Sequence, residues 1–138
     1  MSTATYPDLK GKVVLVTGSS KALGAETARR FAASGAKVVV NGRDERGVEN
    51  IAASIRADGG ECIGVYADVT LAAELFILQT TIRECFGEVD VLAAFAGGLG
   101  NPVPVLDITE DQWRNTVNAD LTSKFLTVKT FVDRKSVV

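Results

Sequence analysis

The sequence predicts an α/β fold, a Rossmann-like doubly wound parallel sheet with its strands ordered 3-2-1-4. Short apolar, β-branched runs alternate with amphipathic helical stretches along the chain. Each run is apolar throughout rather than every second residue, as expected of parallel strands covered on both faces. Glycines stand at the junctions, and right-handed crossovers between such units give the strand order. With 138 residues, 46% hydrophobic and 23% charged, one domain over residues 1–138 is expected.

The elements follow in order. After a polar leader, Lys12 to Thr17 (KVVLVT) reads as a buried strand that ends at Gly18 in the small-residue loop GSSKALG. From Ala25 to Ser34, residues Ala25, Ala28, Phe31 and Ala32 recur at helical spacing, and Gly35 suits the turn after a helix end. Lys37 to Asn41 (KVVVN) is a second strand. A helix that Asp44 can cap follows, with Val48, Ile51, Ala52 and Ile55 on one stripe and Gly59-Gly60 closing it. Glu61 to Ala67 is a third strand, and Thr70 can cap a helix striped by Leu71, Leu75, Leu78, Ile82 and Phe86. Val89 to Ala96 is the fourth strand. Beyond the loop from Gly97 to Pro102, Thr109 with Gln112 forms a capping box for a long helix carrying Trp113, Val117, Leu121, Phe125 and Val128. Ser136-Val137-Val138 reads as the start of a fifth strand, so the expected sheet is truncated after about four strands.

Composition excludes several function classes. Fifteen basic against 17 acidic side chains leave a net charge of −2 and no basic footprint for nucleic acid. The first ten residues lack an apolar signal core, and the most apolar stretch, Leu71 to Leu78, is broken by Glu74 and far short of the ~20 residues a spanning helix needs. No membrane partner and a cytoplasmic location are therefore expected. The absence of histidine rules out Ser-His-Asp triads, Cys-His pairs and histidine-bearing zinc sites for this chain acting alone, and no metal site is expected. Cys62 and Cys85 match neither redox-pair nor zinc spacing and read as buried reduced thiols.

In a sheet of this kind ligands bind beyond the carboxyl ends of the strands. Thr17-Gly18-Ser19-Ser20-Lys21-Ala22-Leu23-Gly24 follows strand one, and its glycines allow a tight turn that brings a diphosphate to a helix N-terminus. It is neither G-x-G-x-x-G nor a P-loop, and it also fits a simple tight connection. Gly42-Arg43 follows strand two, where an arginine suits a 2′-phosphate on the adenosine ribose, and Lys21 adds a second positive charge. Two solvated surface cations are the alternative reading. Asp68 has two readings, as acceptor from an adenine amino group or as a local cap before the third helix. Phe95 and Trp113 read as core packing.

These motifs together resemble the short-chain dehydrogenases/reductases, including members like the 3-oxoacyl-ACP reductases. The family's T-G-x-x-x-G-x-G motif is matched by Thr17, Gly18 and Gly24, with Ala22 in place of the middle glycine. Asp68-Val69, the lead Phe86-Gly87-Glu88-Val89-Asp90-Val91-Leu92, the segment Ala94-Phe95-Ala96-Gly97 and the stretch from Trp113 to Asn118 with Leu121 and Phe125 match further motifs in order. The resemblance covers essentially this whole chain but only the N-terminal portion of such proteins. It implies a nicotinamide dinucleotide, NADP(H) favoured over NAD(H), held by Gly18, Ser20, Lys21, Leu23 and Gly24 in the first loop. Arg43, Asp68, Val69, Ala96 and Gly97 would complete the cofactor site. It also implies a carbonyl or alcohol substrate, reaction by hydride transfer and a homo-oligomer, since the Asn118 helix lies at a subunit contact in the family.

Of the family's Asn, Ser, Tyr and Lys, Asn118 matches the first, and the others lie on and after a fifth strand. Tyr6-Pro7-Asp8-Leu9-Lys10 spells Y-x-x-x-K but precedes strand one, and Ser123 and Ser136 read as helix surface and strand start. Ala22 sets a methyl where backbone and diphosphate approach, and Ala94-Phe95 replaces two amides with apolar groups. Three readings follow: a reductase portion inactive as this chain alone, a non-catalytic dinucleotide-binding module, or an assembly piece that pairs through the exposed edge of strand four.

Overall fold

A computed structural model describes residues 4, 6–98 and 100–132. Four parallel strands, β1 (Val13–Thr17), β2 (Lys37–Gly42), β3 (Glu61–Tyr66) and β4 (Val91–Ala94), form one sheet ordered β3-β2-β1-β4, as the alternation predicts. Helices α1 (Ala22–Ala33), α2 (Glu45–Ala57) and α3 (Ala72–Cys85) connect them. After a 3₁₀ turn at Val105–Asp107 come α4 (Glu110–Val117), a wide π turn (Asn118–Thr122) and α5 (Ser123–Phe131).

The central strands are buried because side chains of period two serve two cores at once. Val14, Val16, Val38 and Val40 meet Ala28, Val48, Ala52 and Ile55 of α1 and α2 on one face. Val13, Leu15 and Val39 meet Val69, Leu75, Leu78 and Ile82 on the other, where Leu126 and Phe131 of α5 also pack. Gln79 Nε2 donates to the Thr130 carbonyl at 2.7 Å and ties α3 to α5. β4 is half-buried along its length and pairs with β1 alone among the described residues.

Several local expectations change. α1 starts at Ala22 rather than Ala25, and β4 is four residues long. Asp44 sits at the α2 N-cap without a side-chain cap bond, and Leu71 rather than Thr70 occupies that position before α3, because Thr70 is drawn into a turn by Asp68. The Thr109–Gln112 capping box forms, the Thr109 hydroxyl accepting from Gln112 N–H at 3.2 Å and the Gln112 side chain from Thr109 N–H at 2.8 Å.

The long amphipathic helix does not bury its expected stripe. Trp113 and Phe125 are 63% and 62% exposed, and Leu121 and Val128 are exposed with them. Ser123 and Thr127 are buried instead, correcting the surface reading of Ser123. The π turn adds a residue to one helical turn and rotates the faces that follow. The small hydroxyl residues that then face inward satisfy themselves on the preceding turn, Ser123 Oγ on Ala119 O and Thr127 Oγ1 on Ser123 O. Phe95 is exposed because β4 ends just before it, and Cys85 is exposed at the α3 terminus, whereas Cys62 is buried. Residues 136–138, the expected fifth-strand start, lie outside the described residues.

Candidate functional site

The carboxyl ends of β1, β2 and β4 converge on the loop Gly18–Lys21. Gly18 has φ +65°, and a Cβ there would stand 2.6 Å from Ala96 N, so only glycine lets the β1 loop lie against the β4 loop. A Cβ on Gly24 would overlap the Gly18 carbonyl oxygen and come within 2.9 Å of Ser19 Cα. The two glycines thus press the first turn of α1 onto the loop. Lys21, extended at φ −162°, precedes α1, whose first turn has no side-chain cap and no acidic residue. Its free N–H groups and the helix dipole fit an anion such as a diphosphate. Ala22 takes up φ +50° at the bend, where the family motif has glycine.

Ser19 is buried and fully engaged. Its hydroxyl donates to Val16 O at 2.6 Å and accepts from Asn41 N–H at 3.0 Å, and its own N–H donates to Asn41 O at 2.8 Å. Asn41 in turn is 1% exposed and donates Nδ2 to Val65 O at 3.1 Å and Ala67 O at 3.2 Å. One residue therefore joins the ends of β1, β2 and β3. Sequence reasoning missed this role, although an amide closing a run of valines was the available signal.

Ser20 lies beside Gly42, a Cβ on which would stand 3.1 Å from Ser20 Oγ. Arg43 follows on the surface, and Lys21 is likewise exposed; neither enters an ion pair among the described residues. Leu23 is exposed at the start of α1. Asp68 serves as a local turn acceptor, its Oδ1 taking Thr70 N–H at 2.9 Å and Thr70 Oγ1–H at 2.7 Å, while Val69 turns its side chain into the core. Ala96 N–H donates to Thr17 Oγ1 at 3.3 Å, and Gly97 and Gly98 continue the loop at φ +132° and +150°.

The structure brings Gly18, Ser20, Gly24, Arg43, Ala96 and Gly97 to one rim of the sheet. Asn118 is exposed in the π turn, and its carbonyl accepts from Ser123 N–H. Asp120 and Lys124, which sequence reasoning did not single out, reach the β4 loop: Gly98 N–H donates to Asp120 Oδ1 at 2.7 Å, and Lys124 Nζ donates to Ala96 O at 2.7 Å. The Tyr6–Lys10 segment lies at the opposite end of the sheet, where Gly11 N–H donates to Gly35 O at 2.9 Å. An open groove of about 1090 Å³, lined in part by Tyr6, Phe31, Ile55 and Gly59, lies at that end as well.

Residues 12–136 match the family model described as short chain dehydrogenase. The chain is 40% identical over 136 residues to the 3beta-hydroxysteroid dehydrogenase 1 of Eggerthella lenta, covering 94% of this chain and 51% of that protein. It is 34% identical to glucose 1-dehydrogenase 2 of Bacillus subtilis, covering 90% of this chain and 48% of that protein. The crystal structure of a short chain dehydrogenase from Mycobacterium smegmatis superposes with a TM-score of 0.87 at 34% identity, over 94% of this chain and 55% of that one. The chain spans about half the length of the curated relatives it matches.

Proposed function

This chain belongs to the short chain dehydrogenase family, and on that premise we propose that its residues 1–138 are a single domain that binds NADP(H) as part of a carbonyl/alcohol oxidoreductase. The observation that carries the reading is the glycine-packed, uncapped start of α1 beside Ser20, with Arg43 one residue beyond β2. Family members use nicotinamide cofactors, and the relatives named above are dehydrogenases of hydroxysteroids and glucose. When bound, the nicotinamide supplies or accepts the hydride.

The chain's own residues do the holding. The first-turn N–H groups of α1 and the Ser20 hydroxyl receive the diphosphate, with Gly18 and Gly24 fixing their approach. Arg43 and Lys21, exposed and without ion-pair partners among the described residues, receive the 2′-phosphate that distinguishes NADP(H) from NAD(H). The residues Asp68, Val69, Ala96 and Gly97 line the remaining rim, Val69 through its backbone. Asn118 is carried as the family's catalytic amide. The exposed patch of Leu121, Phe125 and Val128 supports a homo-oligomer, and the cytoplasm remains the proposed location.

Titration of the protein with NADPH and NADH tests the cofactor reading. NADPH binds at least about tenfold more tightly, and Arg43→Ala removes most of that difference, as loss of a charge-assisted phosphate contact requires. Equal binding of the two, or no change in Arg43→Ala, refutes it.

A second reading concerns turnover. The matching Ser, Tyr and Lys of the family have no counterpart among the matched motifs, and the one Y-x-x-x-K lies at the wrong end of the sheet. These 138 residues by themselves therefore bind cofactor without consuming it. Steady NADPH oxidation with any member of a ketone panel overturns that statement.

A further inference from the structure

Asp120, within the π turn, and Lys124, in the first turn of α5, stand four residues apart, and both side chains reach the loop after β4. The carboxylate takes a hydrogen from the Gly98 amide and the ammonium gives one to the Ala96 carbonyl, each at 2.7 Å. The polarity of each side chain matches the backbone group it meets. Gly97 sits at φ +132°, which favours glycine, and a Cβ there would crowd Asp120 Oδ1 and stand 3.2 Å from the Ala119 carbonyl oxygen. On the other side Thr17 accepts from Phe95 N–H through its carbonyl, at 3.2 Å, and from Ala96 N–H through its hydroxyl, at 3.3 Å. Residues 95–98 are thus held between β1 and the α4–α5 helix.

The sheet order gives this loop a place in the site. β4 adjoins β1 on the side opposite β2. A dinucleotide held with its diphosphate at the α1 start and its phosphorylated adenosine at Arg43 would therefore lay its other half against Ala96–Gly98. We propose that Asp120 and Lys124 form a charge-matched clamp on this loop and act as positioning residues for the nicotinamide half of the cofactor; the identity of that ligand rests on the reading above. The π turn contributes by rotating the residues that follow it, since one extra residue corresponds to about 100° of helical rotation.

Hydrogen exchange of the ligand-free protein and cofactor titration test the two halves of the proposal separately. In Asp120→Ala and in Lys124→Met, amide exchange over residues 96–98 rises about tenfold, the expected effect of losing a charge-assisted bond, while the melting temperature confirms folding. Asp120→Asn, which keeps the Oδ1 acceptor, stays within about threefold of the parent. NADPH binding weakens about tenfold in Asp120→Ala. Adenosine 2′,5′-bisphosphate, which lacks the nicotinamide half, binds as before. Unchanged exchange in both variants refutes the clamp. Equal weakening of both ligands, or of neither, refutes the positioning role. If the parent protein binds the bisphosphate but not NADPH, the positioning role also fails, whereas failure to bind either ligand sinks the cofactor reading and leaves the clamp to be judged by exchange.

Discussion

Replacing Asn41 isolates the joint between the strand ends. The side chain is 1% exposed, and its two amide hydrogens go to the carbonyls of Val65 and Ala67. Asn41→Ala removes two hydrogen bonds worth about 1 kcal/mol each and opens a small buried void. The total cost is about 2–4 kcal/mol. For a chain of this size that lowers the melting temperature by roughly 6–15 °C. The bonds between Ser19 and the Asn41 backbone survive the change, so the β1 loop stays in place and the loss concentrates at the end of β3.

Asn41→Asp sharpens the test. An ionised carboxylate of the same shape offers no donor to either carbonyl, so at neutral pH it costs more than alanine. A protonated carboxyl regains one O–H donor, so the folded form of the variant takes up a proton more readily than the unfolded chain. Its deficit against the parent then narrows as pH falls. Thermal and urea denaturation at two pH values read both effects. A shift below about 2 °C for Asn41→Ala, or an Asn41→Asp deficit that does not narrow in acid, would falsify the joint.

Gly24→Ala drives a methyl onto the Gly18 carbonyl and costs about 1–3 kcal/mol by urea unfolding, with loss of NADPH binding; a neutral result refutes the packing account. Ala22→Gly relieves the φ +50° backbone, a gain of about 1–2 kcal/mol partly offset by chain entropy, so the melting temperature rises roughly 2–4 °C rather than falling. A chromogenic disulfide reagent titrates the exposed Cys85 at once and Cys62 only on unfolding; two rapid equivalents in the native protein contradict the buried placement. Burial pushes the Cys62 thiol from 9.0 up to about 11, opposed by Arg56. The unfolded chain then ionises first, and stability contributed by this group is lost as pH rises from 9.0 through about 11, a loss that Cys62→Ala removes.

The elements were legible because their causes are local. Runs such as Val13–Val16 and Val38–Val40, short, valine-rich and ended by turn residues, read as buried strands, the stripes of α2 and α3 repeat within a helical turn, and Gly18 and Gly24 mark a close approach by lacking a side chain. The Thr109–Gln112 box was readable for the same reason, since both partners lie within one turn. Potential caps were less reliable: Thr70 had a competing partner in Asp68, and a sequence does not rank such rivals.

By itself, then, the sequence determined the parallel α/β sheet, its order and the rim on which the glycine loop and Arg43 meet. The tertiary structure decided which polar side chains complete that rim. Asn41 finds its acceptors on β3, and Asp120 and Lys124 find theirs on the loop after β4. It also decided that Phe125 and Val128, which follow the π turn, face outward. Periodicity fixes a side chain's direction only relative to its near neighbours. Bonds between residues far apart in the chain depend on strand adjacency and on helix phase, and one π turn is enough to change that phase for every residue after it.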